Sequence, residues 1–179
     1  MSKKVFLFID GTNLYAAQYE LFGHTNYLYF PSFIKKVEGK LDVTFAEIYF
    51  YASYSPRSKN PSDREKLYLK NEYLFYRSVK SIQKLTFFKG YRSPTSGKEK
   101  EVDVKLSVDI VDFAHLKKYQ KMFLLTGDTD FMEALKIPSS IGLETAMLCM
   151  ENKIITFGKK RKKPIFLNLD KVIVQKECR

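Results

Sequence analysis

Short apolar runs alternate along this chain with stretches whose apolar residues recur at helical spacing. Val5 to Ile9 is continuously apolar and breaks into Asp10-Gly11-Thr12-Asn13, which reads as a strand buried on both faces running into a turn. Asn13 supplies a cap for a helix over Leu14 to Leu21, and Pro31 opens a short helix through Val37. Glu47 to Ala52 (EIYFYA) is the next strand. Ser62-Asp63-Arg64-Glu65 forms a capping box, and the helix behind it, to Val79, carries Leu69, Tyr73 and Tyr76 as its inner stripe. Leu85 to Phe88 is a strand. Lys89 to Lys100, with its Gly, Pro, Ser and Lys, is an exposed mobile loop.

Asp103 begins another helix, with Val104, Val108 and Val111 marking one face. Met122 to Thr126 is a strand, and the helix starting near Asp128 is interrupted near Pro138. Glu144 to Met150 follows as a strand, and Ile165 to Leu167 and Val172 to Val174 are edge-strand segments. Strands and helices alternate throughout, which predicts an α/β, three-layer fold with a mainly parallel central sheet. In such a sheet the carboxyl ends of the strands border one crevice.

The chain has 179 residues, enough for one domain and a short appendage. Its formal net charge of +11 points to a polyanionic partner. The charge is uneven: 158–164 packs Lys159, Lys160, Arg161, Lys162 and Lys163 between a Gly and a Pro, and a second group surrounds Lys89, Arg92, Lys98 and Lys100. The two cysteines, Cys149 and Cys178, form no disulfide framework or thiolate zinc site. His24 and His115 are the only histidines, which argues against a histidine-based metal centre. The opening apolar run is too short for a signal peptide or membrane helix, so a cytoplasmic protein is expected.

Two strand patterns end in carboxylates. The first ends at Asp10, and Phe123 to Thr126 runs into Gly127-Asp128-Thr129-Asp130. Taken singly, Asp10 reads as a turn residue, and Asp128 and Asp130 as acids favoured in a first helical turn. Gathered at one crevice they would repel each other unless a cation compensates. Asp109 lies six positions beyond Asp103 and points away from it on an ideal helix, so Asp109 and Asp112 read as surface charges or as partners of the ligands.

The stretches Phe8 to Tyr15, Lys100 to Leu106 and Leu124 to Phe131, in that order and spacing, resemble the NYN domain, in the LabA-like branch of the PIN-like nuclease superfamily. The resemblance spans Val5 to Met150. It implies a Rossmann-like (PIN-like) sheet whose strand-end acids, Asp10, Asp103, Asp128 and Asp130, hold Mg²⁺ or Mn²⁺ for RNA cleavage, with Asn13 orienting Asp10 or touching substrate. Two departures stand out: Glu101 replaces the usual Gly, and Pro138 interrupts the last helix. The chain would divide into a nuclease domain over 1–150 and a basic extension over 151–179 packed on it.

Mg²⁺ prefers carboxylate, water and phosphate oxygens, and two such ions roughly 4 Å apart serve phosphodiester hydrolysis without histidine or thiol. The expected activity is therefore a metal-dependent endoribonuclease acting on single-stranded or structured RNA. Lys105, Arg92, Lys98, Lys100, Lys159, Lys160 and Arg161 are candidates for phosphate contacts, and Tyr54 or Tyr91 for stacking on unpaired bases. A homo-oligomer is left open. An RNA-binding or adaptor module with little turnover is the alternative. Asp-Gly-Thr also occurs in haloacid-dehalogenase-type phosphatases, but their nucleophilic Asp would fall at Phe8, which excludes that chemistry. No G-x-G-x-x-G follows the first strand, against a dinucleotide site.

Overall fold

The computed structural model describes residues 3–23, 26–92, 99–150, 165–167 and 174–176. Val5–Asp10 is β1, and every residue in it is buried. α1 (Gly11–Phe22) follows without a break, then β2 (Asn26–Leu28) and α2 (Phe30–Leu41). β3 (Glu47–Ala52), α3 (Asp63–Lys80) and β4 (Leu85–Lys89) complete the first half. The short strands β5 (Tyr91–Arg92) and β6 (Glu99–Lys100) pair antiparallel, so the predicted loop is braced by a ladder at its base. α4 (Val102–His115), β7 (Lys121–Leu125), a 3₁₀ turn (Thr129–Phe131), α5 (Met132–Ser140) and β8 (Glu144–Met150) follow. β9 (Ile165–Leu167) and β10 (Val174–Lys176) come last.

Six parallel strands form the main sheet in the order β4-β3-β1-β7-β8-β9. Counted along the chain within this sheet, the order is 3-2-1-4-5-6, the doubly wound arrangement of a Rossmann-like fold, whose topological switch point lies where the winding reverses. Here that point is between β1 and β7. β10 instead pairs antiparallel with β2 in a separate two-stranded ladder, two residues along the chain from the expected Val172–Val174.

Alternation along β1 builds two cores. Val5, Leu7 and Ile9 join α1, α2 and α3 on one face, through Leu14, Phe33, Phe75 and Val79. Phe6 and Phe8 join α4 and α5 on the other, through Leu106, Ile110 and Leu135. Phe8 is fully buried, consistent with its exclusion as a nucleophile position. Among the described residues no helix is long and apolar enough to cross a membrane.

Three local expectations change. On α3 the inward residues are Glu72, Phe75, Tyr76 and Val79, while Tyr73 faces solvent. Ser62 caps this helix by accepting the Glu65 N–H at 3.2 Å, but the Glu65 carboxylate turns to the Ser58 N–H and hydroxyl instead of closing the box. Pro138 does not interrupt α5: it is buried in the last turn, and the helix runs on to Ser140 before the Pro138 carbonyl accepts the Leu143 N–H at 3.0 Å.

Gly11 is the first residue of α1, and a Cβ placed there would lie 2.1 Å from the Phe50 ring on β3. Phe50 is fully buried and has nowhere to retreat. Gly11→Ala is therefore expected to destabilise the protein by about 1–3 kcal/mol through overpacking, measured by urea unfolding. An unchanged midpoint would show that the helix shifts freely.

Candidate active site

Asp10 ends β1 and caps α1. Its Oδ1 accepts the Asn13 N–H at 3.0 Å, so the cap is Asp10 and not Asn13. This frees the Asn13 side chain for a long-range bond: its Oδ1 accepts the Gly127 N–H at 2.8 Å across the β1/β7 junction. Asp10 Oδ2 accepts the Thr126 hydroxyl at 2.9 Å, and Thr126 Oγ1 in turn accepts the Asp128 N–H at 3.0 Å. Asp128 Oδ1 accepts the Asp130 N–H at 2.9 Å and caps the 3₁₀ turn. Thr126 is buried at the strand end, and nothing in the sequence motif marks it; only the parallel pairing of Ile9 with Leu125 brings it beside Asp10.

Asp103, Asp128 and Asp130 line one groove of about 280 Å³, with Val104, Val108 and Phe131 on its walls. Asp103 enters from the first turn of α4. Asp10 is not part of this lining; it is buried at the end of β1 and reaches Asp128 only through Thr126. A carboxylate offers about four lone-pair directions, so the two bonds described do not exhaust Asp10. Among the described residues no three Asp, Glu, His or Cys side chains converge as a direct metal cage. The donors are nonetheless all hard oxygens opening on solvent, which suits a hydrated Mg²⁺ or Mn²⁺ held by one or two carboxylates.

α4 departs most from expectation. Val104 and Val108 are exposed, at 68% and 54%, while Val102, Leu106, Ile110 and Ala114 face the core. Asp109 is no surface charge: it is buried, accepting the Tyr51 hydroxyl at 2.8 Å and the Lys105 ammonium at 2.5 Å. Burial, and then the bond to Asp109, pushes the Tyr51 phenol above its ordinary 10.0. Lys105 is thus engaged with Asp109 and lies 6.0 Å from the Phe88 ring. Glu101, before α4, has φ 74°, a left-handed conformation in which Gly is the unstrained residue.

The other basic candidates divide by position. Arg92 and Lys100 sit on the paired strands β5 and β6, whereas Lys98, Lys159, Lys160 and Arg161 lie outside the described residues. Tyr54 packs edge-on against Tyr76 at 5.1 Å and its hydroxyl accepts a bond from Lys80 at 3.1 Å, so it serves packing. Tyr91 is 52% exposed and keeps a face for stacking.

Thr126→Val removes the hydroxyl at constant shape. It is expected to cost about 1–3 kcal/mol, because a buried carboxylate and an N–H lose their partner, with Thr126→Ser restoring most of it; thermal unfolding decides. Tyr51→Phe should cost a similar amount at neutral pH. The Tyr51 contribution is fully present below the ordinary tyrosine pKa and is lost as pH rises through the raised folded value. The Tyr51→Phe stability difference should therefore stay flat from pH 6 to 9, which a pH series of unfolding curves checks.

A model of the NYN domain matches residues 4–156. No curated protein matches the sequence closely enough to count as a relative. Among solved structures, a protein of unknown function from Vibrio parahaemolyticus is similar in fold, with a TM-score of 0.58 and 16% identity over 84% of this chain and 83% of its own. A nicotinamidase from Staphylococcus aureus overlaps more loosely, with a TM-score of 0.37 and 10% identity over 89% of this chain and 88% of that one. With its doubly wound sheet and its family match over most of its length, the chain belongs to the NYN domain family, a family of PIN-like nuclease domains.

Proposed function

We propose that this protein is a metal-dependent endoribonuclease of the LabA-like branch. The observation that carries the reading is the groove between α4 and the turn after β7, where Asp103, Asp128 and Asp130 arrive from two separate parts of the chain. Asp10, linked to the Asp128 backbone through Thr126, would complete the acidic set. Asp128, Asp130 and Asp103 would hold Mg²⁺ or Mn²⁺, with Asp10 lending negative potential at the strand end. When bound, such an ion neutralises phosphate charge and activates water for attack.

The chain's own residues do the positioning. Thr126 and Asn13 tie the ends of β1 and β7 together, which fixes the Asp128 backbone against Asp10. Asp109, held by Tyr51 and Lys105, anchors the turn of α4 that follows Asp103. The net charge of +11 supplies sequence-independent attraction for an RNA backbone that weakens with salt. The strand β9 on the main sheet and β10 against β2 support an extension over 151–179 that packs on the nuclease domain.

Asp128→Asn keeps the capping oxygen but removes a charge from the groove. It is expected to lower RNA cleavage roughly a hundredfold or more, on the order of 3 kcal/mol of transition-state stabilisation, with unfolding unchanged. Chelator should abolish wild-type cleavage and added Mg²⁺ or Mn²⁺ restore it, followed on labelled RNA by gel. Undiminished cleavage in the variant or in chelator would sink the mechanism. RNA binding by the wild type without cleavage under either metal would favour the adaptor reading.

A further inference from the structure

The outer face of α3 carries a pattern that its packing does not use. From Lys70 to Lys80 the exposed residues are Lys70, Tyr73, Arg77 and Lys80, spaced three and four apart and so in one row. The acid in this stretch, Glu72, is buried, accepting the Ser55 N–H and hydroxyl. Beside the row a groove of about 620 Å³ opens between α3 and β2, with Tyr29, Lys70, Arg77 and Ser81 in its lining. The row continues onto β4, an edge strand whose last residue is Lys89. Lys80 donates to the Tyr54 hydroxyl at 3.1 Å, and the Lys89 ammonium lies 5.3 Å from the Tyr54 ring. Two cations from different elements thus meet at one tyrosine, and among the described residues neither is paired with a carboxylate. Cations in a last helical turn answer the negative end of the macrodipole. That accounts for Arg77 and Lys80, but not for Lys70, Tyr73 or Lys89.

Resting on the RNA reading above, we propose that α3 and the end of β4 form a docking track for the sugar–phosphate backbone of RNA, separate from the acidic groove. α3 packs in the core on the opposite face of the sheet from α4, so the track and Asp103 lie on different sides. A row of cations with its acid turned inward complements a repeating anion. Lys70 to Lys80 spans about 15 Å along the helix, the length of roughly four nucleotides. Tyr73, 58% exposed in the middle of the row, offers a ring on which a base can stack. An acidic peptide would meet the cations but brings no base for that ring. The track holds RNA that flanks the scissile bond and so adds affinity without touching the reacting atoms.

The test reads fluorescence anisotropy of a labelled RNA of about thirty nucleotides, in chelator and across a salt series. Arg77→Gln/Lys80→Gln/Lys89→Gln should raise Kd about tenfold and flatten the slope of log Kd against log salt by about 2, since each lost phosphate contact removes roughly 0.7. Arg77→Lys/Lys80→Arg/Lys89→Arg, which keeps the charges, should bind as wild type does. Lys117→Gln/Lys118→Gln/Lys136→Gln removes the same charge from exposed residues elsewhere and should leave the slope nearly unmoved. In Mn²⁺ the track variant should raise KM for the long RNA with kcat unchanged. Its constants should match wild type on an RNA of about six nucleotides, roughly 20 Å long and too short to join the two sites. An unmoved slope in the track variant, an equal loss in the Lys117 set, or a wild type that binds an acidic peptide and not RNA overturns the proposal. If wild type binds RNA but cleaves none, the nuclease reading fails and the track is judged by anisotropy alone.

Discussion

The hydroxyl of Thr126 holds together groups that would otherwise lie on separate elements. It has one hydrogen, which goes to Asp10 Oδ2, and its oxygen takes the Asp128 N–H. Asp10 is at the same time the cap of α1. A single buried hydroxyl therefore links the end of β1, the start of α1 and the turn after β7. Asn13 repeats the link one turn into the helix. The close approach of α1 to β3 that this requires is available because Gly11 has no Cβ to meet Phe50. Each residue of Asp10-Gly11-Thr12-Asn13 thus has a mechanical duty near the switch point, Thr12 through its hydroxyl oxygen, which accepts the Ser53 N–H just past β3 at 3.5 Å.

Much of the scaffold was legible because the strands are buried on both faces and so read as unbroken apolar runs. β3 and β8 lie where their patterns end, at Glu47–Ala52 and Glu144–Met150. Faces of helices were harder to read. α4 carries two apolar rows, and spacing alone cannot say which is inside; the larger Leu106 and Ile110 take the core and leave Val104 and Val108 outside. The surface-charge alternative for Asp109 fails for a related reason. Its partners, Tyr51 at the end of β3 and Lys105 one turn back, satisfy a buried carboxylate that would be costly alone. No local rule reports a phenol that lies 58 residues away.

The acidic set itself was visible as strand endings, but its layering was not. Three of the four acids share a groove, while Asp10 lies outside its lining with both oxygens accepting bonds from the chain. Glu101 shows the converse case. The family resemblance has Gly at this position, and the backbone here still takes the left-handed turn that a Gly would adopt freely.

The arrangement also constrains when the site can exist. The bonds from Thr126 to Asp10 and from Asn13 to Gly127 join residues 116 and 114 positions apart. During synthesis β1, β3 and β4 can pair first, because they precede the reversal of winding. The other wall of the crevice is missing until Leu125 has been added and β7 has docked against β1, a contact of the long-range kind that forms late. No amino-terminal fragment short of β7 has a groove between Asp103 and Asp128. A growing chain of this kind carries its acids as scattered charges, and they become a site only when the sheet closes.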